Sequence, residues 1–166
     1  PRLALRLRLE PQSQMSFEQI LANVSQKARG PFSASNGAVG RGTISFTICS
    51  ESHLELLASM STSYHLLQKS GSQLPPLVVF ALDPAVAEWC ALHDFLFVEW
   101  YKLSMRWSRH QTLHQQDRSF HGTSFQIYSQ EKVRIFVKIL DLGFSFLFID
   151  NDIILRKDPV PILPLL

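Results

Sequence analysis

Two aspartates, Asp150 and Asp152, lie one residue apart in the stretch FLFIDNDIILRKDPVPIL, directly after an apolar segment. A carboxylate pair at the end of a buried strand is costly unless a cation lies between the two groups. Residues i and i+2 of an extended chain point to the same side, so both carboxylates can face one ligand. Hard oxygen donors suit Mg²⁺ or Mn²⁺, and Mg²⁺ often completes its shell with water and phosphate oxygens. The spacing by itself favours an ordinary polar turn, and the apolar strand and the helix that precede it make a metal–diphosphate site an equal alternative.

Other residues with reactive side chains give weaker patterns. His110 and His114 are four residues apart, with His121 beyond, and this spacing is compatible with zinc. No cysteine or helix-start signal accompanies them, so we favour a polar surface. Cys49 and Cys90 lie far apart without a C-x-x-C partner and form no disulfide framework. We expect Cys90 to be a small packed core residue.

Length and charge limit the classes of function. A chain of 166 residues is long enough for one domain with a real core. The formal net charge is +2 and the basic residues are scattered, so the sequence gives no argument for binding nucleic acid. The sequence contains no run of eighteen apolar residues, the length expected of a membrane-spanning helix. Because the chain begins without Met, we expect it to be part of a longer protein.

The first forty residues predict a helix and a linker. Apolar residues recur at helical spacing within residues 15–29, at Phe17, Ile20, Leu21 and Val24. The following stretch GPFSASNGAVGRG is rich in Gly and Ser and is typical of a loop. We therefore assign residues 1–40 to an N-terminal helix and linker, and residues 41–166 to the folded domain.

From residue 41 onward, apolar strands alternate with helices. The predicted strands lie in TISFTICS, LVVFALD, FLFVEW and SFLFID. One predicted helix ends at Gly71, a second starts at Pro84, and a third, SQEKVRIFVKILDLG, ends at Gly143. Apolar residues of the third helix form a stripe at positions i, i+3, i+4 and i+7, namely Val133, Phe136, Val137 and Leu140. Residues 101–123 have little periodicity and predict an excursion poor in helix.

This order predicts an α/β fold, a parallel-sheet Rossmann-like sandwich with helices on both faces. In such sheets ligands collect at the carboxyl ends of the strands. The segment from Thr47 to Ser50, Asp83, and Asp150 with Asp152 all fall at predicted strand ends. We therefore expect one binding site at that edge of the sheet.

Two stretches, LPPLVVFALDPAVAEWC and SQEKVRIFVKILDLGFSFLFIDNDIILRKDPVPIL, resemble the nucleotide-diphospho-sugar transferases of plants and algae. The similar features are a strand ending in Leu-Asp, a helix with Ala and Cys, a Lys-containing helix, a Leu-Gly turn, D-x-D, and Arg-x-Asp-Pro-x-Pro. The resemblance spans residues 43–163 and implies a GT-A glycosyltransferase fold, of which we expect an incomplete, donor-binding half. Such enzymes move a sugar from a nucleotide-sugar donor, usually UDP-linked, to a hydroxyl acceptor. They build linkages on cell-wall polymers and glycoproteins, generally in the Golgi.

By position, the resemblance implies a Mn²⁺ or Mg²⁺ cofactor and the donor diphosphate at Asp150 and Asp152, with Asp152 favoured as the direct metal ligand. Lys132 matches a basic residue that reaches the donor phosphate or sugar. The acceptor implied is a glycan or glycoprotein, and membrane anchoring of the full-length protein stays open. The resemblance assigns no catalytic base within this chain.

The nucleoside part of the donor is implied at two further strand ends. Residues that match the first-strand end, which holds base and ribose, are Thr47, Cys49 and Ser50. Asp83 matches an aspartate near the nucleotide. The chain departs from the family pattern at Ser50, where Asn is frequent, and at His53, where Tyr is frequent.

Two alternatives stay open at this point. Phosphatases similar to haloacid dehalogenases also place D-x-D after an apolar strand, with Asp150 as nucleophile and Asp152 as acid–base residue. Those proteins carry the motif at the start of their sheet, whereas here it follows the last predicted strand. The other alternative is a non-catalytic or degenerate fragment that binds a nucleotide sugar without turning it over.

Overall fold

The protein is represented by a computed structural model that describes residues 17–19, 21–22, 42–72, 74–104 and 123–159, the first two residues of the last range by their backbone alone. The histidines at positions 110, 114 and 121, and most of the excursion predicted for residues 101–123, lie outside these ranges. Among the helices in these ranges, none is both long enough and apolar enough to cross a membrane.

Strands and helices alternate along the described chain, in the order β1 (Thr43–Cys49), α1 (Leu54–Lys69), β2 (Leu77–Ala81), α2 (Pro84–Leu92), β3 (Leu96–Glu99), α3 (Trp100–Leu103), α4 (Thr123–Asp141) and β4 (Ser145–Phe148). A single 3₁₀ turn, Glu51–His53, leads into α1. The four strands form one sheet in the order β3-β2-β1-β4, and every pair is parallel. The α/β class and the Rossmann-like parallel sheet predicted from the sequence are confirmed.

The core consists of two apolar layers, one on each face of the sheet. Because side chains alternate along a strand, β2 directs Val78 and Phe80 into the layer beneath α4, and Val79 into the layer beneath α1 and α2. Phe46 of β1 is the aromatic centre of the α4 layer. Its ring centroid lies 5.2–5.6 Å from four other rings, those of Phe80, Phe136, Phe146 and Phe148. The sheet is therefore covered on both faces, as its apolar strands require.

The predicted N-terminal helix is present where the structure describes it. Residues 17–19 and 21–22 are helical, and Leu21 is fully buried in the α4 layer. The Phe17 ring lies 5.8 Å from the rings of both Phe80 and Trp100. This part of the helix thus packs on the domain, and the predicted linker at residues 30–40 lies outside the described ranges.

Two predicted chain reversals and one predicted helix start are present. Gly71 and Gly143, which follow α1 and α4, have φ angles of 88° and 78°, a conformation that glycine adopts without the strain of a side chain. Pro84 opens α2, and the Asp83 side chain before it accepts a hydrogen bond from the backbone N–H of Val86. Local sequence therefore determines where these helices begin and end.

The helix α4 differs from the prediction in length and in rotation about its axis. It begins at Thr123 instead of near Ser129. Much of its predicted apolar stripe faces outward: Val133, Val137 and Leu140 are 58%, 50% and 57% exposed. The side chains buried against the sheet include Ile135, Ile139 and Glu131. Helix α4 carries apolar residues on two opposite sides, so periodicity alone could not identify the side that packs on the sheet.

The buried carboxylate of Glu131 helps to fix that rotation. Trp100 donates its indole N–H to Glu131 Oε2 at 2.8 Å, and Arg134 Nη1 lies 2.9 Å from Glu131 Oε1. A buried charge requires such partners, because leaving it without them is strongly unfavourable. Rotating α4 to bury the predicted stripe would separate Glu131 from Trp100.

Single substitutions on α4 distinguish the two possible faces. We expect Ile135→Ala to lower the free energy of unfolding by about 2–5 kcal/mol, since it leaves a cavity against the sheet. We expect Val133→Ala to change it by no more than about 0.5 kcal/mol, because that side chain is mostly solvated. Urea denaturation of both variants measures the difference, and a larger loss for Val133→Ala would show that the observed rotation is incorrect.

Candidate functional site

The strand order creates a cleft between β1 and β4. The chain runs from β1 to β2 and β3 on one side, and then returns to place β4 on the other side of β1. The connections α1 and α2 cover one face, and α4 covers the opposite face. Connections that diverge in this way leave a crevice at the carboxyl ends of the two strands between which the order reverses, here β1 and β4, and such a crevice is the usual ligand site of open parallel sheets. The D-x-D segment follows β4 at this position.

The two aspartates lie in a turn and not in an extended strand, which corrects the geometric argument made from the sequence. The amide of Ile153 donates to the carbonyl of Asp150 at 3.3 Å, and residues 151 and 152 form the turn. The residue between the aspartates, Asn151, is 9% exposed, whereas Asp152 is exposed and the Asp150 side chain is 48% exposed. The carboxylates therefore remain accessible while the central residue points into the protein. We call residues 150–153 the acidic turn.

Asn151 connects the acidic turn to β1. Its Nδ2 donates to the carbonyl of Ile48 at 2.8 Å, and its Oδ1 accepts a hydrogen bond from the hydroxyl of Thr47. Both partners are buried near the carboxyl end of β1. Thr47, predicted to contact the nucleotide, thus has its hydroxyl directed at Asn151.

Lys132 reaches the acidic turn from α4. Its Nζ lies 3.2 and 3.4 Å from the two carboxylate oxygens of Asp150, and 3.9 Å from the ring centroid of Phe148. The sequence places Lys132 eighteen positions before Asp150, and only the return of α4 along the sheet brings them together. The pair is partly exposed, so its contribution to stability is small, and its ammonium group remains accessible to an anion.

Tyr128, one turn before Lys132 on α4, lies beside both aspartates. Its hydroxyl donates to the carbonyl of Ile48 at 3.3 Å, the same oxygen that accepts from Asn151. Burial raises the pKa of Tyr128, and the negative charges of Asp150 and Asp152 raise it further. The hydroxyl is therefore a protonated donor at neutral pH, fixed at the end of β1.

The end of β1 presents a small polar turn. Ser50 Oγ lies 2.9 Å from His53 Nδ1 and 3.0 Å from Ser52 Oγ, and these contacts are exposed. Cys49, in contrast, is fully buried, and its thiol donates to the Ser50 carbonyl at 3.2 Å. Burial raises the pKa of the Cys49 thiol, with smaller contributions from the charge of Asp83 and from Cys90. Of the predicted first-strand contacts, Ser50 is thus the accessible side chain.

Asp83 connects the ends of β1 and β2. Its Oδ1 accepts from the Val86 amide at 3.1 Å and caps α2, and its Oδ2 accepts from the Glu51 amide at 2.7 Å. Burial raises the pKa of the Asp83 carboxyl, and the two amide hydrogen bonds oppose that effect. Both oxygens hold backbone groups, so Asp83 orients the turn that carries Ser50. The Asp-Pro pair was a sequence signal for this capping role.

The structure brings Thr47, Lys132, Asp150 and Asp152 to one edge of the sheet, with Ser50 at the end of the adjoining strand. It also adds Asn151 and Tyr128, which the sequence analysis did not identify. Asn151 carried no signal, because an amide in a polar turn can be hydrated by water and its sequence neighbours do not predict that it is buried. Tyr128 carried none, since its approach to β1 depends on how α4 packs.

A family model for nucleotide-diphospho-sugar transferases matches residues 72–164, more than half of the chain. The chain belongs to this family. The match confirms the resemblance from β2 through β4 and includes the acidic turn, while β1 and its polar end lie before it. Searches of curated proteins and of solved structures found no match. Membership favours a sugar transferase over the phosphatase alternative.

The acidic turn fits a divalent cation that is shared with a phosphate ligand. Mg²⁺ and Mn²⁺ prefer oxygen donors, and Mg²⁺ commonly uses one or two protein carboxylates together with phosphate oxygens and water. Asp150 and Asp152 supply two carboxylates. Within the described ranges, no group of three or more His, Cys, Asp or Glu side chains is arranged to hold a metal. The described donor set therefore suits a metal–diphosphate complex better than an all-protein metal cage.

The two thiols are expected to be unreactive in the folded protein. Burial raises the pKa of Cys90 to about 12, and burial also raises the pKa of Cys49. Because the thiolate is the reactive form, we expect a disulfide reagent at pH 8 to label the folded chain on the order of 100-fold more slowly than the chain in urea. Fast labelling of folded protein, with an unchanged circular dichroism spectrum, would show that at least one of the two thiols is accessible, and mass spectrometry of the labelled peptides would identify which one.

Proposed function

We propose that this protein is the donor-binding part of a metal-dependent glycosyltransferase that uses a nucleotide sugar, with UDP as the expected nucleotide. The observation that carries the proposal is the acidic turn at the β1–β4 cleft, with two accessible carboxylates, one of which is paired with Lys132. Family membership supports the transfer of a sugar from a nucleotide diphosphate. A glycan or glycoprotein acceptor and action in the Golgi stay predictions from the resemblance.

Asp150 and Asp152 would hold the Mn²⁺ or Mg²⁺ ion, with Asp152 as the direct ligand because no other described group is seen to engage its carboxylate. The chemistry supplied by the bound ion is neutralisation of negative charge on the departing diphosphate. The two carboxylates would hold the ion beside the diphosphate of the donor.

Lys132 would contribute a second positive charge to the diphosphate. In the structure its ammonium is paired with Asp150 and rests over the Phe148 ring, 3.9 Å from its centroid. A lysine has three donors on a flexible stem, so Nζ can contact a phosphate oxygen after a small rotation. Its partner Asp150 would then be available to support the metal.

The base and ribose would lie along the turn after β1. His53 is exposed there and Ser50 is half-buried, whereas Cys49 is fully buried and the Thr47 hydroxyl is already engaged by Asn151. Ser50 and His53 therefore carry the polar contacts with the nucleoside in this proposal. Asp83 acts indirectly, by holding the Glu51 amide.

Calorimetry on the 166-residue chain tests the proposal directly. We expect UDP to bind in the presence of Mn²⁺ and to lose at least about tenfold in affinity after EDTA, because phosphate oxygens complete the metal shell. Asp152→Asn should reproduce that loss with Mn²⁺ present. Asp141→Asn, at the exposed end of α4, should bind UDP like the wild-type chain. No binding of UDP or of other nucleoside diphosphates with Mn²⁺ would refute the proposal.

Substitution of Lys132 should have opposite effects on two ligands. We expect Lys132→Gln to bind free Mn²⁺ severalfold more tightly, because it removes a cation that competes for Asp150. The same variant should bind UDP with Mn²⁺ roughly tenfold more weakly, because a charge on the diphosphate is lost. Electron paramagnetic resonance of free Mn²⁺ measures the first effect and calorimetry the second. Equal weakening of both ligands would argue against the proposed phosphate contact.

A further inference from the structure

We infer that Asn151, the residue between the two aspartates, is a positioning residue that fixes the acidic turn to the end of β1. This inference rests on the proposed function and extends it, because it names what holds the metal-binding carboxylates in place before a ligand arrives. Asn151 is buried, and the two hydrogen bonds of its side chain go to Thr47 and Ile48 of β1. Its effect on a ligand would therefore pass through the position of Asp150 and Asp152.

An amide is the side chain whose chemistry fits this position. The carbonyl of Ile48 can only accept, so Nδ2 of Asn151 must face it. That orientation leaves Oδ1 toward Thr47, whose hydroxyl donates to it. An aspartate at position 151 would place a carboxylate oxygen against the Ile48 carbonyl oxygen, where neither atom can donate. It would also bury a third negative charge near the other two. A leucine would fill similar space and leave both β1 groups without this partner.

Besides apolar packing and the ion pair between Lys132 and Asp150, three hydrogen-bonded contacts attach the segment from Ile149 to Leu155 to the rest of the described structure. The Ile149 amide donates to Phe46 at 3.0 Å and continues the sheet, and the Leu155 amide donates to the Ser63 hydroxyl at 3.1 Å. Asn151 supplies the third, between these two points. Because Asn151 is the contact adjacent in sequence to both aspartates, it most directly determines where they stand relative to β1.

A fixed turn spares the ligand part of the cost of ordering the site. When binding must immobilise a loop, the entropy lost by that loop reduces the affinity. Asn151 ties the loop in advance to the strand whose end would contact the nucleoside. Loss of this tie should therefore weaken ligands that carry a diphosphate, and it should leave a nucleoside without phosphates unaffected.

The test uses Thr47→Val, which removes one donor to Asn151 without altering any residue that would touch metal or phosphate. We expect the Ile153 amide, which closes the acidic turn, to exchange with deuterium about tenfold faster in this variant. The affinity for UDP with Mn²⁺ should fall by about the same factor, while the affinity for uridine stays unchanged. Thr47→Ser, which keeps the hydroxyl, should restore both values.

Two controls make the outcome decisive. Thr62→Val removes a hydroxyl of α1 that bonds only within that helix, at 2.8 Å from the Ala58 carbonyl, and should change neither measurement. The Val79 amide, in the centre of the sheet, should keep its exchange rate in Thr47→Val. Asn151 does not act as a positioning residue if exchange of the Val79 amide accelerates as much as exchange of the Ile153 amide. The same conclusion follows if neither the exchange rates nor the affinity for UDP with Mn²⁺ change. If wild-type protein fails to bind UDP while the Ile153 exchange responds as expected, the proposed function fails and the positioning of the turn stands.

Discussion

The site depends on the contact between the end of β1 and the turn after β4. Thr47 and Asn151 are 104 positions apart, yet their side chains meet because β4 pairs directly with β1 in parallel register. The Ile48 carbonyl is the shared acceptor, receiving hydrogen bonds from Asn151 and from Tyr128 of α4. Three elements of the fold thus converge on one strand end, and the acidic turn takes its position from that convergence.

One face of helix α4 has two roles in the structure. It buries Ile135, Ile139 and the carboxylate of Glu131 against the sheet. The neighbouring positions Tyr128 and Lys132 then lie at the carboxyl edge, because α4 runs back along the sheet in the direction opposite to the strands. The bond from Trp100 to Glu131 offsets part of the cost of burying a charge, and it opposes rotation of the helix about its axis. The same rotation is what directs Lys132 to Asp150.

The electrostatics of the cleft suit a cationic ligand that arrives with an anion. The acidic turn carries two accessible carboxylates and Lys132 pairs with one of them, that of Asp150, so the turn and this lysine together retain an excess of negative charge. Burial raises the pKa of Tyr128 and the nearby negative charges raise it further, so its hydroxyl is protonated at neutral pH and adds a donor and no further charge. In a metal–diphosphate complex, the metal would neutralise the excess negative charge of the carboxylates, and the phosphates would pair with the ammonium group of Lys132.

The family, the parallel sheet and most helix boundaries followed from the sequence. Apolar strands, the Asp83-Pro84 helix start and the glycines at 71 and 143 are local signals that act within a few residues of themselves. The sequence also predicted that the polar residues after the strands lie at one edge of the sheet, because the carboxyl ends of parallel strands lie on the same side. The prediction that Val133, Val137 and Leu140 pack on the sheet was wrong. Helix α4 is apolar on two sides, and contacts with Trp100 and the sheet decide which side is buried.

The sequence by itself determined which residues could carry chemistry, because Asp150, Asp152 and Lys132 are identifiable by type, spacing and resemblance. The tertiary structure alone decided how they are held. In the folded protein the aspartates are part of a turn and not of a strand, and Lys132 pairs with Asp150. Asn151, within that turn, donates a hydrogen bond to β1. These are contacts between residues far apart in the chain, formed only when β1, β4 and α4 pack together, and no local pattern records them.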